Sequence, residues 1–193
     1  MEQQLDVLLT GGLVIDNKGR RHASVGVKDG RIVGLYAAGM EPPAKEVVDA
    51  QGKAVIPGLV DTHSHHREPG YTHKEDIDTA TRACAAGGVT TSVAMPNVYP
   101  VPNTVEKLQS MMKLYEEKAI VDWNINPAGT IVEEIPKLAK MGVPAMKIFM
   151  VVDTGRDYPH MPGLGVHEHG KLMAIMEACA EAGIPDRKST RLN

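Results

Sequence analysis

Two histidines separated by a single residue, His63 and His65, form the pattern in the sequence best suited to chemistry. Side chains two residues apart along a strand point to the same face, so both imidazoles can project to one side. Neutral imidazole is a good ligand for zinc and other borderline transition metals. Asp61, two residues earlier, is a candidate metal ligand or a carboxylate that orients one. The spacing therefore predicts a metal site, with a histidine-rich surface loop as the alternative.

Arg67 and Asn97 are the candidate substrate-binding residues. A guanidinium two residues after His65 offers a planar pair of donors to a carboxylate or an amide. The alternative is a solvated turn in which Arg67 pairs with Glu68. Asn97 closes a Met-Pro-Asn run after an apolar strand, which would carry its amide to the same edge. An asparagine beside proline can also simply cap a turn.

Lys147 lies inside the apolar run Met-Lys-Ile-Phe-Met, where a lysine is costly unless it is paired or neutral. Burial favours the neutral amine. A neutral amine can take up carbon dioxide to form a carbamate, an anion whose two oxygens can bridge two metal ions. The alternative is a lysine whose amine extends to solvent, and the spacing alone favours that alternative.

A second pair with the same spacing, His167 and His169, lies in a glycine-rich stretch before a predicted helix. We interpret it as a loop and a helix cap, with a substrate or metal role as the alternative. The sequence contains no Walker loop, GxGxxG, GxSxG or CxxC motif. Their absence weakens nucleotide-binding, serine-hydrolase and thiol-redox functions.

Alternating apolar strands and amphipathic helices must position these side chains. We predict strands at residues 55–60, 89–95, 120–125 and 145–151, each followed by a helix. Capping boxes at Thr72–Glu75 and Thr130–Glu133 predict two helix starts, and Asn103 or Thr104 predicts another. Four β–α units indicate a parallel sheet, because each helix returns the chain to the same edge. In either a doubly wound sheet or a barrel, the chemistry lies at the carboxyl ends of the strands.

The residues before Pro57 are different, since they show short strands and no helical periodicity. Asp29-Gly30 is a strong hairpin signal because both residues tolerate positive φ. Across all 193 residues the composition is that of a globular protein, with 42% hydrophobic and 23% charged residues and a formal net charge of -3. There is no basic stripe for nucleic acid and no apolar run near the ~20 residues of a membrane span. We expect a cytoplasmic protein.

Several of these motifs occur in an order that resembles the cyclic amidohydrolases. They are residues 57–70 (PGLVDTHSHHREPG), 74–77 (KEDI), 86–91 (AGGVTT) and 95–97 (MPN). Within these enzymes the chain looks most like dihydroorotase, with allantoinase and hydantoinase as relatives. The resemblance implies an α/β fold, the amino-terminal half of a (β/α)8 TIM-type barrel preceded by part of a small β-sandwich. Residues 1–56 would belong to the sandwich and residues 57–185 would form the first four β–α units.

The resemblance also implies zinc-dependent hydrolysis of a cyclic amide such as dihydroorotate, or the reverse cyclisation, by a metal-bound hydroxide. His63 and His65 match two metal ligands, and Lys147 matches a carboxylated lysine that bridges the ions when two are bound. Arg67 and Asn97 match residues that bind the substrate carboxylate. We expect a small cyclic amide as the partner, neither nucleic acid nor membrane, and a homo-oligomer in the full-length protein.

Three departures qualify this resemblance. His66 stands where an apolar residue is common, Val98-Tyr99 replaces the usual threonine, and residues 151–169 follow no familiar dihydroorotase pattern. The substrate could therefore be that of an allantoinase or hydantoinase, and a non-catalytic assembly partner is a further alternative.

The length is the largest departure, because a complete barrel needs about 250 residues. The family's remaining ligands, two histidines and an acid/base aspartate, belong to the second half. We expect the fragment to be inactive alone and interpret residues 186–193 (DRKSTRLN) as an artefactual tail without strand character.

Overall fold

A computed structural model describes residues 4–151 and 162–189 of the chain as a mixed α/β structure. The chain divides into two compact units, residues 1–57 and residues 58–193. Among the described helices, none is both long and apolar enough to cross a membrane.

The first unit is built entirely from strands, as its turn-rich sequence predicts. They are β1 (Leu5–Thr10), β2 (Leu13–Asp16), β3 (Gly19–His22), β4 (Ser24–Lys28), β5 (Arg31–Tyr36), β6 (Ala44–Asp49) and β7 (Ala54–Val55). One sheet has the order β5-β4-β1-β6 and the other the order β3-β2-β7. Asp29 and Gly30 both have positive φ and join β4 to β5 as an antiparallel hairpin, which confirms that prediction. Strand β3 was not predicted, because the segment Gly-Arg-Arg-His has no apolar alternation.

The second unit alternates strands and helices. Its strands are β8 (Leu59–Ser64), β9 (Val89–Ala94), β10 (Asp122–Ile125), β11 (Met146–Phe149) and β12 (Asp186–Ser189). Its helices are α1 (Ile77–Ala86), α2 (Val105–Lys118), α3 (Ile135–Ala139) and α4 (His169–Glu181), with a 3-10 turn at Val132–Glu134. Strands β8, β9 and β10 form one parallel sheet, and β11 pairs in parallel with β12. A parallel bridge between Ala128 and Lys147 continues the pairing from the end of β10 to β11.

The core of the second unit consists of apolar side chains from the helices and from the strand faces that they cover. Leu108 and Tyr115 of α2 and Ile175 of α4 are fully buried and pack with residues from β10 and β11. These residues recur at helical spacing, which is the periodicity that predicted α2 and α4.

The predicted helix starts are correct at α2 and wrong at α1 and α3. Thr104 caps α2 by accepting a hydrogen bond from the Lys107 amide at 3.4 Å. Helix α1 starts at Ile77, two residues beyond the end of the predicted box, because Asp76 forms the capping box with Thr79. No side-chain cap precedes α3 or its 3-10 turn. The Thr130 hydroxyl instead accepts a hydrogen bond from the Asn103 amide at 3.1 Å.

The first strand of the second unit also differs from the prediction. We expected it at residues 55–60, but β8 begins at Leu59, and the preceding Ala54–Val55 pairs with β2 in the first unit. Pro57 lacks an amide donor, and the Leu59 amide begins the new ladder by donating to the Gly88 carbonyl at 3.0 Å. His63 therefore lies within the strand and His65 directly follows it.

The expectation that residues after Pro185 have no strand character is wrong. Asp186–Ser189 forms β12, in register with β11, so that Arg187 lies opposite Lys147. The Met146 amide donates to the Pro185 carbonyl at 3.0 Å and starts this pairing. Strand pairing uses backbone N–H and C=O groups. A polar sequence can therefore pair when the preceding helix places it beside a strand whose edge is unpaired.

Asp6 in β1 generates a prediction about acid stability. Its carboxylate accepts hydrogen bonds from Lys45 at 2.8 Å and from the Asp29 amide at 2.7 Å. These contacts lower the pKa of Asp6 to about 2, so their stabilisation is present above the ordinary value of 3.8 and is lost as the pH falls towards about 2. We expect the free energy of unfolding of Asp6→Asn to vary less with pH in this window, measured by urea denaturation.

The matched control is Glu46→Gln, which removes an exposed carboxylate from the neighbouring strand β6. It should keep the acid dependence of the wild type. If the free energy of unfolding falls equally with decreasing pH in Asp6→Asn and in the wild type, the Asp6 contacts do not contribute to folding.

Candidate functional site

The candidate site lies where parallel strands end. Strands β8, β9 and β10 run in the same direction, so the side chains that follow them meet at one edge of the sheet. His65 follows β8, Asn97 follows β9 and Asn126 follows β10. The structure therefore places His65 and Asn97, which the sequence predicted at separate strand ends, at one edge together with Asn126.

His63 and His65 lie side by side, as their spacing predicts. Their ring centroids are 5.3 Å apart, with the rings tilted by 57°. Ser64, His66 and Glu68 are buried, whereas His63, His65 and Arg67 are more open. This alternation places the two candidate ligands on one face of the segment, as expected for extended backbone.

The electrostatic surroundings favour neutral imidazoles. Burial, with smaller contributions from Arg67 and His63, lowers the pKa of His65 to about 4. Burial is also the main cause of a lowered pKa at His63, and Arg187 and Lys147 contribute. The neutral form is the one that binds metal ions. His65 Nδ1 is buried and has no hydrogen-bond partner in the described part of the chain. Its lone pair is therefore not engaged there and can bind a ligand such as a metal ion.

Asp61 holds the backbone of the histidine segment. One carboxylate oxygen accepts a hydrogen bond from the His63 amide and the other from the Ser64 hydroxyl, both at 2.8 Å. These two hydrogen bonds lower the pKa of Asp61, which is therefore ionised at neutral pH. Of its two predicted roles, ligand or supporting carboxylate, the geometry corresponds to the second.

Arg67 follows the histidines in an unusual conformation. Its φ is 62°, in the left-handed region that costs a residue other than glycine about 1 kcal/mol. Its charge lies close enough to His65 to lower the pKa of that imidazole. Such strain is common at ligand-binding positions, where neighbouring contacts enforce the conformation.

Glu68 follows Arg67, and its ion pair within the described part of the chain is with Lys118, not with Arg67 as in the alternative interpretation. Its buried carboxylate accepts a hydrogen bond from the Ile77 amide at 3.0 Å, at the start of α1. It also forms an ion pair with Lys118 at the end of α2. Glu68 thus ties the loop after the histidines to both neighbouring helices.

Two asparagine side chains are buried at the same edge with polar atoms that have no hydrogen-bond partner among the described residues. Asn97 is 1% exposed, and neither its amide nitrogen nor its oxygen has a partner among the described residues. It therefore does not cap a turn. Asn126 is 2% exposed, and its side-chain oxygen is likewise without a partner there. Buried unpaired amides are costly, which makes both positions candidates for ligand contact.

Asn126 was not predicted as a site residue. Its position could have indicated a site residue, because Asn126 directly follows the third strand, just as His65 and Asn97 follow the first two. The run Asn-Ile-Asn-Pro looks like ordinary turn chemistry in the sequence, which hid this signal.

Lys147 is buried and does not extend to solvent, although the spacing alone favoured that outcome. The residue is 3% exposed, and its Nζ lies 4.7 Å from the centroid of the Phe149 ring. Burial is the main reason that the pKa of Lys147 is lowered, with Arg187 contributing. The charge of Lys147 in turn lowers the pKa of both site imidazoles. An amine of this kind is more available for carbamate formation than a solvated one.

Arg187 of β12 contacts the site from the opposite side. One guanidinium nitrogen is 2.8 Å from His63 Nδ1, and another donates to the Thr62 carbonyl at 3.0 Å. Arg187, in the described part of the predicted artefactual tail, therefore lies against one of the two candidate ligands.

The donor set fits a divalent metal ion in part. Two neutral imidazoles stand together, and one carries a buried nitrogen without a partner in the described part of the chain. Within residues 4–151 and 162–189, no three His, Cys, Asp or Glu side chains come together as a metal site. His167 and His169 are exposed, and His167 lies in the loop before α4, as the loop interpretation predicts. The predicted cap is wrong, because Glu168 occupies the N-cap position and α4 has no side-chain cap hydrogen bond. Further ligands would have to come from Lys147 or from outside the described residues.

The buried amine generates a stability prediction. Lys147→Met should raise the free energy of unfolding by about 1 kcal/mol at neutral pH, because it removes a buried polar group that carries a desolvation cost. The pKa of Lys147 is lower in the folded protein than the ordinary value of 10.5, which applies to the unfolded chain. As the pH rises towards 10.5, the folded protein loses this proton first, so the free energy of unfolding of the wild type should increase. Urea denaturation in bicarbonate-free buffer measures both effects.

The control is Lys140→Met, which removes an exposed lysine from the end of α3. It should leave the stability and its pH dependence unchanged. An equal response of both variants would mean that the Lys147 amine is solvated in solution.

Two protein-family models match this chain. The Dihydro-orotase-like family model matches residues 52–150, and that segment contains all of the predicted site residues. The model of the urease alpha-subunit N-terminal domain matches residues 1–58. These matches divide the chain close to the boundary between its two compact units.

Individual relatives fall in the same group of enzymes. A dihydroorotase of Lactobacillus helveticus is 44% identical over 117 residues, which are 61% of this chain and 27% of that protein. An allantoinase of Deinococcus radiodurans is 35% identical over 180 residues, covering 88% of this chain and 40% of that protein. The solved L-hydantoinase (dihydropyrimidinase) of Arthrobacter aurescens aligns with a TM-score of 0.85 and 25% identity over 96% of this chain and 40% of that chain.

The chain thus spans about a quarter to two fifths of the length of these relatives. The family match nevertheless covers just over half of the chain and includes every strand end of the candidate site. On this basis the chain belongs to the dihydroorotase-like family.

Proposed function

We propose that this chain forms the amino-terminal half of a (β/α)8 barrel in a metal-dependent enzyme that hydrolyses a cyclic amide of the dihydroorotate class. One observation carries the proposal: two imidazoles 5.3 Å apart at the end of β8 lie at the same sheet edge as Asn97 and Asn126. Among the described residues, the buried amide of Asn97 and the buried side-chain oxygen of Asn126 have no hydrogen-bond partner. The names of the relatives, dihydroorotase, allantoinase and hydantoinase, support the same reaction class.

His63 and His65 are the proposed metal ligands in this half of the protein. Lys147, as a carbamate, would add oxygen donors, because its amine is buried and influences both imidazoles. A bound zinc ion would polarise the amide carbonyl and lower the pKa of a water molecule. Asp61 fixes the histidine backbone, and Glu68 fixes the loop that follows.

Arg67 and Asn97 are the proposed substrate-binding residues. The guanidinium presents a pair of donors that matches a carboxylate, and the buried amide of Asn97 has both a donor and an acceptor to offer. A cyclic amide that bears a carboxylate, such as dihydroorotate, uses both groups. Allantoin and hydantoin carry no carboxylate, so the same two residues distinguish the proposed substrate from these alternatives.

Arg187 affects how the chain would load metal. Its guanidinium is hydrogen-bonded to His63 Nδ1, and a cation at His63 would be repelled by that charge. Metal binding therefore requires that Arg187 move away from the imidazole.

The metal-binding part of the proposal is tested on the chain itself. We expect His65→Ala to lower the affinity for Zn²⁺ or Co²⁺ by at least about 10-fold, because it removes one of two neutral imidazole donors. Isothermal titration and the Co²⁺ absorption spectrum measure this change. His169→Ala removes an exposed histidine from the start of α4 and is the matched control.

Equal metal affinities in His65→Ala, His169→Ala and wild type would contradict the assignment. They would favour a non-catalytic assembly role for the fold.

The substrate class is tested in the protein that contains this chain. Arg67→Met should lower kcat/KM for dihydroorotate by about 100-fold, which corresponds to the loss of a charge-assisted, two-donor contact. Dihydrouracil has the same ring without the carboxylate, so its slower hydrolysis should change by less than about 3-fold. Steady-state kinetics on both compounds separates the contact with the carboxylate from a general loss of activity.

If Arg67→Met lowers kcat/KM equally for both compounds, Arg67 does not bind the substrate carboxylate. Faster hydrolysis of allantoin or hydantoin than of dihydroorotate by the wild type would reassign the substrate within the same reaction class.

A further inference from the structure

His66 is the departure from the family pattern that the proposed function leaves unexplained. It is 4% exposed and lies on the buried side of the segment, opposite His63 and His65. Its ring bridges two elements, since Nδ1 is 2.9 Å from the Tyr115 hydroxyl of α2 and Nε2 is 3.1 Å from the Ser92 hydroxyl of β9. A buried imidazole with both nitrogens engaged has a defined orientation.

The contacts of His66 continue through two serines to the site. The Ser92 hydroxyl donates to Ser64 Oγ at 2.9 Å, and the Ser64 hydroxyl donates to Asp61 Oδ2 at 2.8 Å. Asp61 also accepts the His63 amide through its other oxygen. Tyr115 and Ser92 are fully buried and Ser64 is 9% exposed, so little water competes for these groups.

The number of protons available determines the direction of every hydrogen bond in this series. An ionised carboxylate only accepts, so the single Ser64 hydroxyl proton is directed to Asp61. Ser64 Oγ then accepts the single proton of Ser92, and the Ser92 oxygen is left to accept from His66. A neutral His66 ring in this position therefore carries its single proton on Nε2, and its Nδ1 accepts from the Tyr115 hydroxyl.

We propose that Tyr115, His66, Ser92 and Ser64 form a one-way series of hydrogen bonds, hereafter the Tyr115–Asp61 relay, that holds the Asp61 carboxylate and through it the metal-binding segment. His66 is then a positioning residue in its neutral Nε2–H form and not a ligand. The metal-related part of this inference rests on the proposed function, whereas the relay itself does not.

The relay links the site to the core of the unit. Tyr115 packs against Trp123, with ring centroids 5.1 Å apart, and belongs to the apolar cluster between helices and sheet. Its hydroxyl thus has a fixed position from which the following groups are oriented in turn. Hydrogen bonds in such a series strengthen one another, so loss of one member weakens the hold on Asp61.

The first test needs no variant. Long-range proton–nitrogen correlation spectra of the 193-residue chain distinguish the two neutral tautomers of His66, and the relay requires the Nε2–H form. Observation of the Nδ1–H tautomer or of a doubly protonated ring at neutral pH would overturn the proposal, whether or not the protein binds metal.

The second test compares two substitutions of His66. Leu has a similar volume but neither donor nor acceptor, whereas the amide of Gln offers one of each at a spacing like that of the two ring nitrogens. His66→Leu should speed hydrogen exchange of the His63 amide by about 10-fold, because Asp61 is no longer held. His66→Gln should stay within about 3-fold of wild type. Tyr115→Phe removes only the first hydroxyl and should give an intermediate rate.

Met111→Leu, a substitution of a buried apolar residue on the same helix, is the control for general core perturbation. Unchanged His63 exchange in both His66→Leu and Tyr115→Phe would overturn the relay. Zn²⁺ affinity, expected to fall about 10-fold in His66→Leu and little in His66→Gln, provides a separate measurement. If wild type binds no Zn²⁺, the proposed function fails while the tautomer and exchange results still decide the relay.

Discussion

The parallel pairing of β8, β9 and β10 is the constraint on which the site depends. Parallel strands need helical connections, and these return the chain so that all carboxyl ends lie at one edge. The amide hydrogen bond from Met95 to the Ser64 carbonyl, at 2.8 Å, extends this pairing to the residues that follow the strands. The candidate ligands and the buried asparagines meet because the backbone ladder brings them there.

Several polar groups at this edge reduce the stability of the fold. The left-handed Arg67, the buried Lys147 and Asn97, whose buried amide has no partner among the described residues, each carry a local cost that the surrounding apolar core offsets. The structure tolerates them because Asp61 and Glu68 tie the same segment to neighbouring backbone amides. Concentration of such costs at one strand edge is what a binding site produces, whereas a purely structural edge would be satisfied internally.

The segment from His63 to Glu68, at the end of β8, has two faces with different roles in the site. His63, His65 and Arg67 lie on the open face, where the proposed metal and substrate bind. Ser64, His66 and Glu68 lie on the buried face and connect the segment to β9, α1 and α2. Alternate residues of this segment thus carry the proposed ligands on one side and the groups that hold them on the other. Substitutions on the buried face should therefore alter the site although they replace none of the proposed metal ligands.

The sequence by itself determined the alternation of strands and helices, the shared face of His63 and His65, and the edge at which Asn97 lies. These features follow from periods of two and 3.6 residues, which are local properties of the chain. The tertiary structure alone decided the burial of Lys147, the place of Asn126, the strand at residues 186–189 and the partners of His66. The Tyr115 contact, for example, joins residues 49 positions apart. Local patterns do not encode such pairings, because whether a polar group is buried depends on which distant elements cover it.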